Sequence, residues 1–166
     1  YPIDPGMDGL EGSLTNWLNR GIDAVHGYQP RLHEPVTLGE RTYVPMEVGE
    51  KLGYALLERS ITGRYRIAHI SSGNAPFRCG VIEENGGKQL LFQGRNTFGE
   101  IDRVQITLDR GYEYELKLPR KEVFFIHTGV DSRIPTGLAS VEQITLYDGE
   151  GQDITESFFM SMGGIQ

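Results

Sequence analysis

The chain has 166 residues, 38% of them hydrophobic and 10% aromatic, which suits one ordinary domain with a real core and is short for two. Its net charge of −7 argues against nucleic acid or acidic membrane surfaces as general partners, and no stretch approaches the roughly 20 apolar residues of a membrane-crossing helix. A single cysteine, Cys79, excludes an intrachain disulfide.

Residues 1–12 contain two prolines, three glycines and three acids, the composition of an extended N-terminal arm. The chain begins at Tyr1 with no leader pattern, so a processed or excised form is expected. Leu14, Trp17, Leu18, Ile22 and Val25 recur at helical spacing, which predicts a helix over Ser13–Ala24, capped by Ser13 and stopped by Gly27. Pro30, Pro35 and Pro45 exclude helix across residues 28–46; Val36–Leu38 and Arg41–Val44 read as short strands around Gly39-Glu40. Val48, Leu52, Ala55, Leu56 and Arg59 fit one helical stripe and predict a second helix over Glu47–Ser60. The competing reading is a strand over Tyr54–Arg59.

From Arg64 the period changes to two. Strands are predicted at Arg64–Ile70, Phe77–Glu84, Lys88–Gln93, Asp102–Leu108, Tyr112–Leu118, Val123–His127 and Val141–Tyr147, with Phe158–Met160 as a last one. Asn85-Gly86-Gly87 is a hairpin signal, and strict alternation puts Tyr112, Tyr114, Leu116 and Leu118 on one face. Glycine, at 22 of 166 residues against a usual ~7%, falls between the apolar runs, where turns are needed. Short connections imply antiparallel neighbours. The expected fold is therefore mainly β within the α+β class: an antiparallel β-sandwich or jelly-roll-like sheet pair, in one domain, with one or two N-terminal helices.

Few residues carry a chemical signature. Cys79 and His127, with Asp131 as orienting acid, are the available thiol–imidazole set, but Cys79 lies in an apolar strand and reads as a small core residue. His26, His33 and Glu34 match no zinc spacing. The acidic stretch Asp148–Asp153 with Glu156 departs from the calcium-loop pattern and reads as a solvated turn, so no metal site is expected. Ser71–Asn74 reads as a turn, because Pro76 and a strand follow it instead of a helix.

One ordered set stands out. His26-Gly27, Tyr43, Gly53-Tyr54 and Ser140-Val141-Glu142 follow one another in an order that resembles the His–Tyr–Glu group of ADP-ribosyltransferases of the diphtheria-toxin and poly(ADP-ribose) polymerase type. The resemblance implies NAD as cofactor, His26 on its adenosine ribose, Tyr43 and Tyr54 around the nicotinamide, and Glu142 stabilising the ribosyl cation. A strand over Val141–Tyr147 puts Glu142 on one face with Ile144 and Leu146, where an unpaired carboxylate is costly unless it is functional. That reading requires a helix between the tyrosines.

The leading expectation is a different one: a non-enzymatic β-module, without cofactor, that binds a protein or a glycan through loops on a rigid sheet. The contact loops are Ser71–Pro76, Gln93–Gly99 and Thr128–Gly137, with Asn74, Arg95, Asn96, Asp131 and Arg133 as ligand-binding residues. The arm and the apolar Phe158–Met160 tail suggest a homo-oligomer or a larger assembly, and a secreted or assembly-associated home over a cytoplasmic one.

Overall fold

The computed structural model describes residues 3, 6–7, 9–20 and 29–163, without the side chains of 162–163. The chain, expected from its length to be one domain, divides into two compact units, Tyr1–Ala75 and Pro76–Gln166. Both are built on antiparallel sheets, so the mainly β, α+β architecture expected from the sequence is the one observed.

In the first unit, helix α1 spans Leu10–Leu18. It starts three residues before the predicted point, behind Gly9 at φ 75, and Ser13 does not cap it. Leu10 and Leu14, one turn apart, are buried with Ile3 against Val44, Ala55, Leu57 and Ile67. Predicted positions 21–24 lie outside the described residues. The sheet contains β1 (Arg31–Leu32), β2 (Val36–Leu38), β3 (Arg41–Val48), β4 (Lys51–Arg59) and β5 (Tyr65–Gly73). Its order is β1-β3-β4-β5, with β2 also on β3. Proline interrupts a ladder because it has no N–H. Pro45 avoids the penalty by lying between the stretch of β3 paired with β2 and the stretch paired with β1.

The predicted second helix over Glu47–Ser60 is not formed. Gly49 turns the chain at φ 61, and Lys51–Arg59 is a strand paired with both β3 and β5. The competing strand reading holds and extends three residues further back. Both faces of β4 carry apolar residues, so a period of two and a helical stripe are indistinguishable there. Neighbouring strands decide the matter. The predicted turn at Ser71–Asn74 is also displaced, since β5 continues through Gly73.

The second unit holds two sheets. One has the order β10-β7-β6-β11, from β6 (Phe77–Glu84), β7 (Gly87–Arg95), β10 (Val123–Val130) and β11 (Gly137–Leu138); the other has the order β12-β8-β9, from β8 (Arg103–Leu108), β9 (Glu113–Lys117) and β12 (Val141–Tyr147). The β6–β7 hairpin closes through Asn85 at φ 48 and Gly86 at φ 79, the left-handed pair of a two-residue turn. Val81, Leu90, Phe92 and Phe124 from the first sheet share one core with Val104, Ile106, Leu116 and Leu146 from the second. This is a sandwich, with the expected Tyr112, Tyr114, Leu116 and Leu118 on its inner side.

Phe158–Met160 is not a strand. Helix α2 spans Thr155–Gly163. Asp153 caps its start by accepting from the Thr155 N–H at 2.9 Å and hydroxyl at 2.6 Å, and these bonds hold its carboxyl below the usual range. Ile154 and Phe158, four apart, meet the core, and Phe158 stacks on Phe77 at 5.5 Å. Phe159 and Met160 stay exposed at 38% and 69%.

Candidate functional site

The transferase resemblance requires a helix between the two tyrosines, and none is formed there. His26 lies outside the described residues. Tyr43 and Tyr54 do meet, edge to face at 5.4 Å, but from adjacent strands β3 and β4, with no helix between them. Tyr43 is buried and Tyr54 also contacts His69 at 5.8 Å. Glu142 belongs to the other unit, and the face assigned to it is corrected by a bulge. Val141 pairs with Leu108 but Gln143 with Thr107, so Glu142 is the extra residue. The bulge lets Val141, Ile144 and Leu146 all reach the core and leaves Glu142 exposed. Its carboxylate therefore bears no burial penalty.

Cys79 and His127 are likewise separated. Cys79 lies in one cross-strand row with Phe92 and Ile126, and His127 in the next row with Gly80 and Leu91. Adjacent rows point to opposite faces. Burial pushes the Cys79 thiol up to about 12, which suits a core residue and not a nucleophile. His127 instead meets Gln89 at 3.2 Å. His33 pairs with Glu47 at 3.0 Å. In the acidic turn, Asp148 accepts the N–H groups of Glu150 and Gln152 at 3.0 and 2.9 Å, the work of a turn residue.

The predicted contact residues lie on different elements of the two units. Asn74 follows β5 in the first unit and is exposed. Arg95 ends β7 opposite Val123, whereas the 131–136 loop follows Val130, which pairs with Lys88. Seven residues at about 3.4 Å each put those two ends roughly 24 Å apart, so Arg95 and Arg133 do not share one site. Asn96 is a correction. It is 2% exposed, its Nδ2 donates to the Ile101 carbonyl at 2.9 Å, and its Oδ1 accepts the Ile101 N–H at 3.1 Å. It braces its own loop from inside and does not face a ligand.

Asp131 and Arg133 form an ordered polar pair in the 131–136 loop. Arg133 donates from Nε and Nη2 to the two carboxylate oxygens of Asp131, each at 2.9 Å, and its backbone N–H donates to the same carboxylate at 2.9 Å. These bonds hold the Asp131 carboxyl down to about 2 and push the guanidinium further up. The Asp131 N–H donates to the Tyr114 hydroxyl at 2.9 Å, and the guanidinium lies 5.7 Å from the Tyr112 ring centre. The Arg133 side chain remains 73% exposed. Alternation in 112–118 pointed to both tyrosines as core; their role under this loop had no sequence signal.

Sequence reasoning missed a second surface, the outer face of β12-β8-β9. Arg103 is stacked on Tyr147 at 3.9 Å and bonded to Glu115 at 3.2 Å. Gln105 donates to Glu113 and accepts from the Tyr147 hydroxyl, both at 3.4 Å. Alternation within each strand identifies these residues as outward, but only the register makes them one face.

Compared with models of protein families, with curated proteins and with solved structures, the chain matches none.

Proposed function

We propose that this chain is a non-enzymatic recognition or structural module that binds a protein or a glycan as part of a larger assembly, with the 131–136 loop as its contact. The supporting observation is the Asp131–Arg133 clamp over Tyr112 and Tyr114. An arginine presented to solvent yet fixed in one geometry loses little further freedom when a ligand binds, and such preorganisation favours affinity. Exposed Leu138 lies five residues beyond Arg133, on β11.

The test is a binding screen of the full chain on a glycan array and by affinity capture, followed by titration of the best ligand. Arg133→Ala and Tyr112→Ala should each weaken binding at least tenfold. Full affinity in both variants would sink the assignment. Release of nicotinamide from NAD that disappears in Glu142→Gln would replace it with a transferase.

A further inference from the structure

We propose that the N-terminal segment is exchanged between two copies of this chain, so that Ile3 of one copy docks on β5 of the other in a two-fold symmetric dimer. This is independent of the ligand and the loop proposed above. The docked contact is small and complete in itself. Among the described residues of 1–9, Ile3 is the one that pairs with a strand, through an isolated antiparallel bridge to Tyr65 at the start of β5. Both bonds of the bridge are made: the Ile3 N–H donates to the Tyr65 carbonyl and the Tyr65 N–H to the Ile3 carbonyl, each at 2.7 Å. The Ile3 side chain is buried as a plug among Leu10, Leu14, Leu57 and Ile67. One side chain and two hydrogen bonds are the same whether they arrive from the chain itself or from a neighbour, so exchange forfeits none of them.

The connection back to α1 favours exchange over docking in place. It runs through Met7 at φ 62 and Gly9 at φ 75. Glycine accepts that conformation, but a bulky residue such as methionine is strained in it. A segment that crosses to a second copy need not fold back and is free to relax Met7, and short strained hinges invite swapping for this reason. Residues 4–9 reach roughly 20 Å when extended, far enough to cross to a neighbour in contact. The docking site also lies beside an uncovered apolar residue. Tyr65 directly follows the turn closed by the Ser60 N–H on the Arg64 carbonyl at 2.7 Å, and Ile61 in that turn is fully exposed. A second copy delivering its segment to Tyr65 comes against this turn and covers Ile61. Because the two copies give and receive the same segment, the assembly closes at two.

The experiment uses the full chain carrying Cys79→Ala, Ile3→Cys and Tyr65→Cys, so that the introduced thiols are the only ones. Hydrogen-bonded antiparallel partners lie about 5.5 Å apart at Cα, within reach of a disulfide. The chain is oxidised at rising concentration, run without reductant, and the bridge mapped by mass spectrometry. A covalent dimer joining position 3 to position 65, with a share that grows with concentration, is the expected result. Light scattering on the unaltered chain should show a dimer that is lost in Ile3→Asp. An internal bridge in a monomer at every soluble concentration would overturn the exchange, and so would failure of positions 3 and 65 to bridge at all. A dimer that persists in Ile3→Asp would be made elsewhere and would overturn it too. Should Ile3→Asp not fold, the mapped bridge alone decides between the two forms.

Discussion

Gly94 gives the most direct test of the sandwich core. It lies on β7 in one cross-strand row between Phe77 of β6 and Phe124 of β10. Its φ is not in the left-handed region, so the backbone would accept alanine, and only space forbids it. A Cβ built there meets Phe77 Cδ1 most closely, then Phe124 Cζ at 2.8 Å and Phe77 Cε1 at 2.9 Å, against the 3.5–4.0 Å of an ordinary carbon contact. To reach ordinary contact the Phe124 ring must retreat by about 0.7 Å and the Phe77 ring by about 1 Å or more. Phe77 has little room, with Phe92 at 5.3 Å, Phe158 at 5.5 Å and Phe159 at 6.0 Å between ring centres.

Overpacking of this kind costs about 1–3 kcal/mol, of which the lower chain entropy of alanine recovers roughly 0.5. A net loss of about 0.5–2.5 kcal/mol lowers Tm by roughly 2–20 °C in a cooperative unit of this size. The assay is urea and thermal unfolding of Gly94→Ala, Phe77→Leu and the double variant. Phe77→Leu removes the outer atoms of one of the two rings while Phe124 stays in place, so Gly94→Ala should cost less in the Phe77→Leu background than alone, a coupling of about 0.5 kcal/mol or more. A stable Gly94→Ala, or costs that simply add, would refute this packing.

The remaining expectations concern single side chains. Asn96→Ala leaves the Ile101 N–H and carbonyl without their partner, at about 1–3 kcal/mol for each buried group; unchanged unfolding with lost ligand binding would instead make Asn96 a contact residue. Cys79 at pH 8 should react with iodoacetamide roughly a thousandfold more slowly than a free thiol, because so little thiolate forms, and a rapid reaction in the native state would contradict its burial. Because the folded thiol titrates at about 12 and an ordinary one at 9.0, its contribution to stability is complete below about 9 and falls as pH rises towards 12. The Asp131 carboxyl, followed by NMR, should titrate at about 2 and return towards 3.8 in Arg133→Ala; an unmoved midpoint would show that the clamp does not form in solution. As its value is depressed, any stability it adds is present above about 3.8 and is lost as pH falls through 2.

Local rules explain what was readable in the fold. Val141–Tyr147 and Phe77–Glu84 were bounded correctly because alternation and turn residues act over a few positions. Asn85-Gly86 was legible for the same reason, since few other dipeptides accept two left-handed residues in succession. The 47–60 segment was not, because apolar residues on both faces of β4 imitate a helical stripe. The end of the chain failed in the opposite way. Phe158-Phe159-Met160 has strand composition, but the helix is decided by the Asp153 cap five residues earlier and by Phe77 across the core.

The sites were less legible than the fold, and the bulge at Glu142 shows why. Period two assigned its carboxylate to an apolar face, and that assignment supplied the physical argument for catalysis. One extra residue between Val141 and Gln143 turns the same carboxylate to solvent and removes the argument. A slip of one residue exchanges the two faces of a strand, so a function inferred from the face of one strand is only as sound as its register. Register also created what the sequence hid. Arg103, Glu115 and Tyr147 are far apart in the chain and ordinary one by one. They become a single face because β8 pairs with both β9 and β12. A candidate site that depends on pairing between strands cannot be found by spacing along any one of them.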